Sequence, residues 1–134
     1  MLRTMDAVGA TAWRGKIALL RRDWETVGAL MNENHALVNE MMVHCGFADG
    51  AGDAGNKLIR AALDAGALGA KLTGAGGGGS VFALARPGEE QKIAGVFRDV
   101  ARQVGLTEAA VFVPRLARQG LLVEEAVTAP ASGW

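Results

Sequence analysis

A glycine-rich segment in the middle of the chain constrains the fold more than any other feature. Within residues 71–84 (KLTGAGGGGSVFAL), five of the six central residues are glycine. Glycine loses more backbone freedom on folding than any other residue, so such a run is costly. Its consecutive N–H groups carry no side chains between them and can turn inward to form an anion-binding concavity. A plain hairpin turn needs only one or two glycines, so contact with a phosphate or a substrate is favoured over a turn with surplus glycine.

The segment does not fit two common nucleotide-binding patterns. Residues 74–79 satisfy G-x-G-x-x-G, but that dinucleotide fingerprint requires a helix after the glycines. Residues 80–85 are followed by a turn signal and are typical of a strand. A Walker A loop is excluded because Ser80 stands where that loop requires lysine. The predicted order is therefore strand, loop, strand.

The glycine-rich segment resembles the third motif of the GHMP kinases, the family of galactokinase, homoserine kinase, mevalonate kinase and phosphomevalonate kinase. Residues 65–70 (AGALGA) extend the match, and residues 30–35 (LMNENH) resemble a segment that mevalonate kinases carry upstream of it. The resemblance covers roughly residues 6–125 and is closest to mevalonate kinase or a related sugar kinase. Ser80 departs from the pattern, since many members have cysteine there.

The resemblance implies that the glycine-rich loop closes against nucleotide phosphates and the acceptor. The residues assigned to phosphate or substrate binding are Gly74, Ala75, Gly76, Gly77, Gly78, Gly79 and Ser80. Thr73 and Ser80 flank the loop, and their hydroxyls can bond its backbone or a ligand. Lys71 is expected in solvent or in an ion pair, with a position near the phosphate site as the alternative.

Family members have two domains, and their first motif, phosphate-binding loop and usual catalytic lysine and aspartate lie in the N-terminal one. None of these motifs is found here, so we expect residues 1–125 to be a C-terminal domain alone, followed by a frayed tail at 126–134. ATP and Mg²⁺ would be bound mainly by an N-terminal kinase domain, supplied in cis or in trans. The chain alone is expected to be inactive, and we identify no catalytic residue and no metal ligand in it.

Composition excludes several classes of partner. The 134 residues suit one domain, and half of them are hydrophobic. Lysine and arginine (14) balance aspartate and glutamate (14), so no basic surplus indicates nucleic acid or an anionic membrane. A single cysteine and two histidines do not support a zinc site. One cysteine also fits a reducing compartment, and no leader or spanning segment is seen, so we predict a cytoplasmic protein.

Apolar residues at helical spacing predict four helices, over about residues 7–21, 24–44, 54–65 and 87–104. In the second, Asn32 and Asn39 fall on the polar side, Asn34 projects into the apolar arc, and His35 lies at its edge. A buried amide needs partners, so we expect Asn34 to bond a neighbouring backbone group and His35 to lie at the surface. The alternative is that both face the active-site cleft, with Thr73, and position a substrate.

Strand signals predict a sheet, with strands at 69–73, 80–85, 109–113 and 120–124. The short loop between the first two requires an antiparallel pair. The predicted fold is therefore α+β, a four-stranded, mostly antiparallel sheet with helices layered on one face. The resemblance implies the same class, a ferredoxin-like sheet with extra N-terminal helices.

Two functional hypotheses follow. In the first, the chain is the C-terminal domain of an ATP-dependent kinase that phosphorylates an alcohol group, with a mevalonate-type or sugar acceptor. In the second, it is a non-catalytic ligand-binding or oligomerising module derived from such a kinase. An unpaired cleft surface would leave apolar residues exposed and favour a homo-oligomer.

Overall fold

The computed structural model describes residues 2–74 and 79–115. The elements are α1 (Leu2–Leu20), α2 (Trp24–His44), α3 (Asp53–Asp64), β1 (Gly69–Leu72), β2 (Val81–Leu84) and α4 (Glu90–Gln103). The four predicted helices and the first two predicted strands are confirmed. The largest shift is in α1, which begins at Leu2 rather than near residue 7.

Helix α2 begins and ends where local chemistry predicts. The Asp23 carboxylate accepts hydrogen bonds from the Thr26 N–H (3.1 Å) and the Thr26 hydroxyl (2.7 Å), which makes it an N-cap. These bonds, the hydroxyl one foremost, lower the pKa of Asp23. At the other end Gly46 has φ +94°, a left-handed conformation that favours glycine and stops the helix.

Strands β1 and β2 form an antiparallel hairpin in which Leu72 pairs with Val81 and Gly69 with Leu84. Alternation along β1 turns Ala70 and Leu72 into the core, where they are 0% and 5% exposed. Helix α3 covers this face, and α4 packs against α3. The buried cluster at their junction consists of Ala51, Ile59, Ala62, Ala70, Leu72 and Ile93.

Helix α2 lies along the edge of β1 that β2 leaves unpaired. A Cβ atom on Gly28 would collide with the Leu68 carbonyl, and one on Gly69 would collide with the backbone of Gly28. The Asn32 amide bridges this seam, accepting from Ala70 N–H (2.9 Å) and donating to the Leu68 carbonyl (3.4 Å). Helix α1 packs on α2.

The predicted four-stranded sheet is wrong for the described residues, which form a two-stranded sheet. Residues 109–113 are described and form no strand, and Phe112 is 76% exposed. An apolar, β-branched run becomes a strand only where a partner edge accepts its hydrogen bonds. The predicted strand at 120–124 and the tail at 126–134 lie outside the described residues.

Candidate functional site

The hairpin brings the two ends of the glycine-rich segment together. Thr73 N–H donates to the Ser80 carbonyl at 2.9 Å, which extends the ladder one pair beyond β1 and β2. Gly74 has φ +78° and Gly79 has φ +98°, so both ends of the segment require the left-handed conformation that glycine adopts without strain. The other predicted loop residues, Ala75, Gly76, Gly77 and Gly78, lie outside the described residues.

The hydroxyl of Thr73 bonds the backbone at the mouth of this loop. Its Oγ1 donates to the Ser80 carbonyl at 3.4 Å, and both residues are exposed. Their side chains are therefore accessible beside the glycine-rich segment. Whether they contact a ligand stays a prediction.

Lys71 is neither a solvent-facing lysine nor part of an ion pair among the described residues. Its side chain is half-buried, and Nζ donates to the Leu72 carbonyl at 2.8 Å. The ammonium lies 5.5 Å from the centroid of the Phe82 ring, which faces it across the hairpin. Burial lowers the pKa of Lys71. A cation that has no carboxylate partner within residues 2–74 and 79–115 thus lies near the end of β1.

His35 is also more enclosed than the sequence indicated. Its Nε2 lies 3.0 Å from Oδ1 of Asn56 in the first turn of α3, and its Nδ1 is buried without a hydrogen-bond partner among the described residues. Burial lowers the pKa of His35, and the charge of Lys71 lowers it further, while the bond to Asn56 opposes both. His35 therefore faces α3 and the end of β1.

Two asparagine amides continue from His35 into the loop before α3. Asn56 Nδ2 donates to Oδ1 of Asn39 (3.1 Å) and to the Asp49 carbonyl (3.1 Å). Oδ1 of Asn39 also accepts from Ala51 N–H at 2.9 Å. These bonds tie α2, the loop and α3 together at the end of the molecule where β1 passes into the glycine-rich segment.

A cavity of about 420 Å³ opens beside these amides. Its polar lining includes Asn39, Asp49, Asp53, Asn56, Lys57 and Arg60. Lys57 Nζ and Asp53 Oδ2 form an exposed ion pair at 2.7 Å across one turn of α3. The lining therefore contains both hydrogen-bond donors and acceptors, and it contains side chains of both charges.

Asn34 lies elsewhere. Its Nδ2 donates at 2.8 Å to the Thr11 hydroxyl of α1, which in turn donates to the Val8 carbonyl at 2.7 Å. The expected backbone partner is thus replaced by a side chain, and the structure joins Asn34 to α1 rather than to His35 and Thr73. A substrate-positioning role for Asn34 stays untested.

Sequence reasoning missed the roles of Asn32, Asn39 and Asn56. The first two fall on the polar side of α2, opposite the apolar arc, yet one bonds the edge of β1 and the other the loop before α3. A usable signal was present, because Asn32, His35 and Asn39 fall at i, i+3 and i+7 on one stripe of the helix. Asparagine is a poor helix former, so two on one stripe indicate a packing role.

Two further observations concern other classes of site. Within residues 2–74 and 79–115, no group of three His, Cys, Asp or Glu side chains is placed to hold a metal ion. None of the helices in this part of the chain combines the length and apolar character that a membrane span requires.

Comparisons with known proteins match this chain to a family model and to several similar proteins. The family model described as GHMP kinases C terminal matches residues 16–103. The chain is similar to the mevalonate kinases of Pyrococcus furiosus, with 33% identity over 128 residues (92% of this chain and 34% of the relative), and of Pyrococcus horikoshii, with 36% over 126 residues (90% and 33%). It is also similar to the galactokinase of Thermococcus kodakarensis, with 36% identity over 99 residues (73% and 26%). No solved structure matches it.

The chain spans about a third of the length of the curated relatives it matches. The family model covers most of the described helices and both strands, including the whole glycine-rich segment. The chain therefore belongs to the family of GHMP kinase C-terminal domains.

Proposed function

We propose that this chain is the C-terminal domain of an ATP-dependent kinase that phosphorylates an alcohol group on a small molecule, of the mevalonate or sugar type. The observation that carries the proposal is the mouth of the glycine-rich segment. Hairpin bonding holds its two ends together, and an ammonium without a carboxylate partner among the described residues lies beside it. The similarity to mevalonate kinases and to a galactokinase supports both acceptor classes.

The chemistry of phosphoryl transfer suits such a site. It asks a protein mainly to position the reactants and to stabilise charge on the phosphoryl oxygens. In the proposal, backbone N–H groups of Gly76, Gly77, Gly78 and Gly79 orient phosphate or substrate. Lys71 has three N–H donors, of which one is used by the Leu72 carbonyl, so the remaining donors are available to an anion.

The proposal assigns ATP and Mg²⁺ mainly to an N-terminal kinase domain, acting in cis or in trans. Mg²⁺ is usually held by one or two carboxylates together with substrate phosphates. No step is assigned to a metal held by this chain. By itself the chain supplies a wall of the site and is inactive.

The test is an ATP-dependent phosphorylation assay of the full-length gene product that contains this sequence, with mevalonate and galactose as acceptors. Gly77→Val places a β-branched side chain in the glycine-rich segment and should reduce turnover to background without unfolding the protein. Gly95→Val in α4 is the matched control, because a Cβ there meets nothing within 4 Å. Near-normal turnover by Gly77→Val would contradict the proposal.

A second candidate, a non-catalytic or oligomerising module, is favoured by the exposed apolar side chains of α1 and the start of α2. Trp13 is 64% exposed, Leu20 72% and Trp24 46%. Such a surface favours self-association. Light scattering distinguishes the candidates, since a monomeric, catalytically active product removes the second and a stable oligomer without phosphorylation of either acceptor removes the first.

A further inference from the structure

The protonation of His35 follows from its neighbours. Asn56 must direct its NH₂ group towards the Asp49 carbonyl, because a backbone carbonyl only accepts. Its oxygen therefore faces His35, and the imidazole must donate to it through an N–H at Nε2. Asn39 is oriented in the same way, because its oxygen accepts the Ala51 N–H.

The other ring nitrogen disfavours the charged form. Nδ1 is buried and has no partner among the described residues. In the neutral ring it carries a lone pair, whereas protonation would bury an N–H without an acceptor, which is more costly when the group is charged. Lys71 on β1 adds a repelling positive charge, and α3 presents only the neutral amide of Asn56 to the ring. The geometry thus favours the neutral tautomer that carries its proton on Nε2.

This network ends beside the last residue of β1. Gly55, the neighbour of Asn56, packs so closely on the last residue of β1 that a Cβ would lie 3.0 Å from Cδ2 of Leu72. Leu72 is followed directly by Thr73 and the loop. The two amides that continue from His35, Asn56 and Asn39, also line the cavity of about 420 Å³. The imidazole therefore lies behind Asn56, which belongs to the first turn of α3 and lines the cavity.

The cavity suits an uncharged or weakly charged polar ligand better than a polyphosphate. Its charged lining consists of Asp49 and Asp53 against Lys57 and Arg60, which sum to zero. A polyphosphate needs a surplus of positive charge or of N–H donors, which the glycine-rich segment and Lys71 offer instead. Amides and paired charges offer donors and acceptors together, as a small hydroxylated molecule requires.

We infer that this cavity receives the alcohol acceptor and that His35 is the positioning residue that fixes its wall through Asn56 and Asn39. The inference rests on the proposed kinase function for the identity of the ligand. The positioning role rests only on the geometry of the described residues.

The first experiment reads the tautomer without any enzyme assay. Nitrogen-15 NMR of the imidazoles in the 134-residue chain should show His35 with a proton on Nε2 and none on Nδ1 at neutral pH. His44→Gln removes the other histidine and assigns the signals. A proton on Nδ1, or a doubly protonated ring, would overturn the positioning role.

The second experiment measures hydrogen exchange of the Ala51 amide. His35→Leu and Asn56→Ala should each speed exchange about tenfold, because each removes one hydrogen bond of the network. His35→Gln should restore protection, because its amide supplies a donor at a distance from Cα similar to that of Nε2. Unchanged exchange in both disrupted variants would contradict the role of His35.

The third experiment uses the full-length gene product with mevalonate and then galactose. His35→Leu should raise the KM of the phosphorylated acceptor about tenfold and leave that of ATP within twofold, and His35→Gln should restore it. Asn56→Ala should match His35→Leu, and the double variant should add nothing further. Equal changes in both KM values, or none, would overturn the acceptor assignment.

If neither acceptor is phosphorylated by the unmodified protein, the proposed function fails, while the first two experiments still decide the positioning role.

Discussion

The two ends of β1 face α2 in different ways. At the first end, Gly28 and Gly69 bring backbone against backbone, and Asn32 closes the seam with two hydrogen bonds. At the second end, Lys71 donates to the Leu72 carbonyl of its own strand, and His35 of α2 bonds Asn56 of α3. The first end leaves no room for a side chain, whereas the second is occupied by half-buried side chains that titrate.

The two ends of β1 are therefore expected to have different roles. A backbone contact fixes the distance between helix and strand and does not respond to pH. The imidazole and the ammonium at the second end depend on protonation and on the residues that they bond. We therefore expect the first end to determine stability and the second end to determine the shape of the site next to the glycine-rich segment.

The largest effect should come from adding a side chain at the first end. Gly28→Val places Cβ against the Leu68 carbonyl, and neither backbone can withdraw without breaking the seam. We expect a loss of about 3 kcal/mol in the free energy of unfolding, measured by chemical denaturation. Gly9→Ala is the control, because a Cβ there meets nothing within 4 Å, and it should stabilise α1 by up to about 1 kcal/mol. Similar stability for the two variants would remove the distinction between the ends.

A smaller loss is expected when the bridging amide is removed. Asn32→Ala leaves the Ala70 N–H of the strand edge without an acceptor, which costs about 1–3 kcal/mol. Its neighbour Glu33 forms an exposed ion pair with Arg14 (3.0 Å), so Glu33→Ala should cost no more than about 1 kcal/mol. Equal losses for these two variants would show that the Asn32 amide does not support the seam.

The second end should give a pH dependence that the first lacks. The folded-state pKa of His35 is lowered, so below its ordinary value of 6.5 the unfolded chain binds a proton that the folded chain does not. Stability should consequently fall as pH drops below 6.5. In His35→Gln this contribution disappears, and the slope of unfolding free energy against pH should become smaller in that range. An unchanged slope would contradict the enclosure of the ring.

The smallest effect concerns an ion pair across the first end. Arg86, after β2, lies 2.7 Å from Glu25 at the start of α2, and both side chains are more than half exposed. A double-mutant cycle with Glu25→Gln and Arg86→Gln should give a coupling of about 0.5 kcal/mol that weakens with salt. A coupling that is insensitive to salt would show that the pair is less exposed to solvent than its geometry indicates.

The sequence predicted the features that depend on neighbouring residues. The period of apolar residues placed four helices, and the short glycine-rich loop required an antiparallel pair. The family resemblance drawn from residues 65–84 is confirmed by the family model. The loop-flanking residues Thr73 and Ser80 could be located because their position relative to the strands is local.

The sequence failed where a residue's role depends on a distant partner. Periodicity placed Asn32 and Asn39 on the polar side of α2 without a partner, because it does not distinguish water from a backbone N–H as the partner of an amide. His35 was expected at the surface for the same reason. Residues 109–113 have the composition of a strand, but no neighbouring edge pairs with them in the described chain.

The close packing of Gly28 on Gly69 also makes α2 and the hairpin a single mechanical body. Their main chains approach so closely that neither contact position has room for a Cβ atom, and closely packed elements transmit a displacement from one to the other. Since Asn39 and Val43 of α2 line the cavity of about 420 Å³, any displacement of the hairpin would be carried along the helix to that cavity.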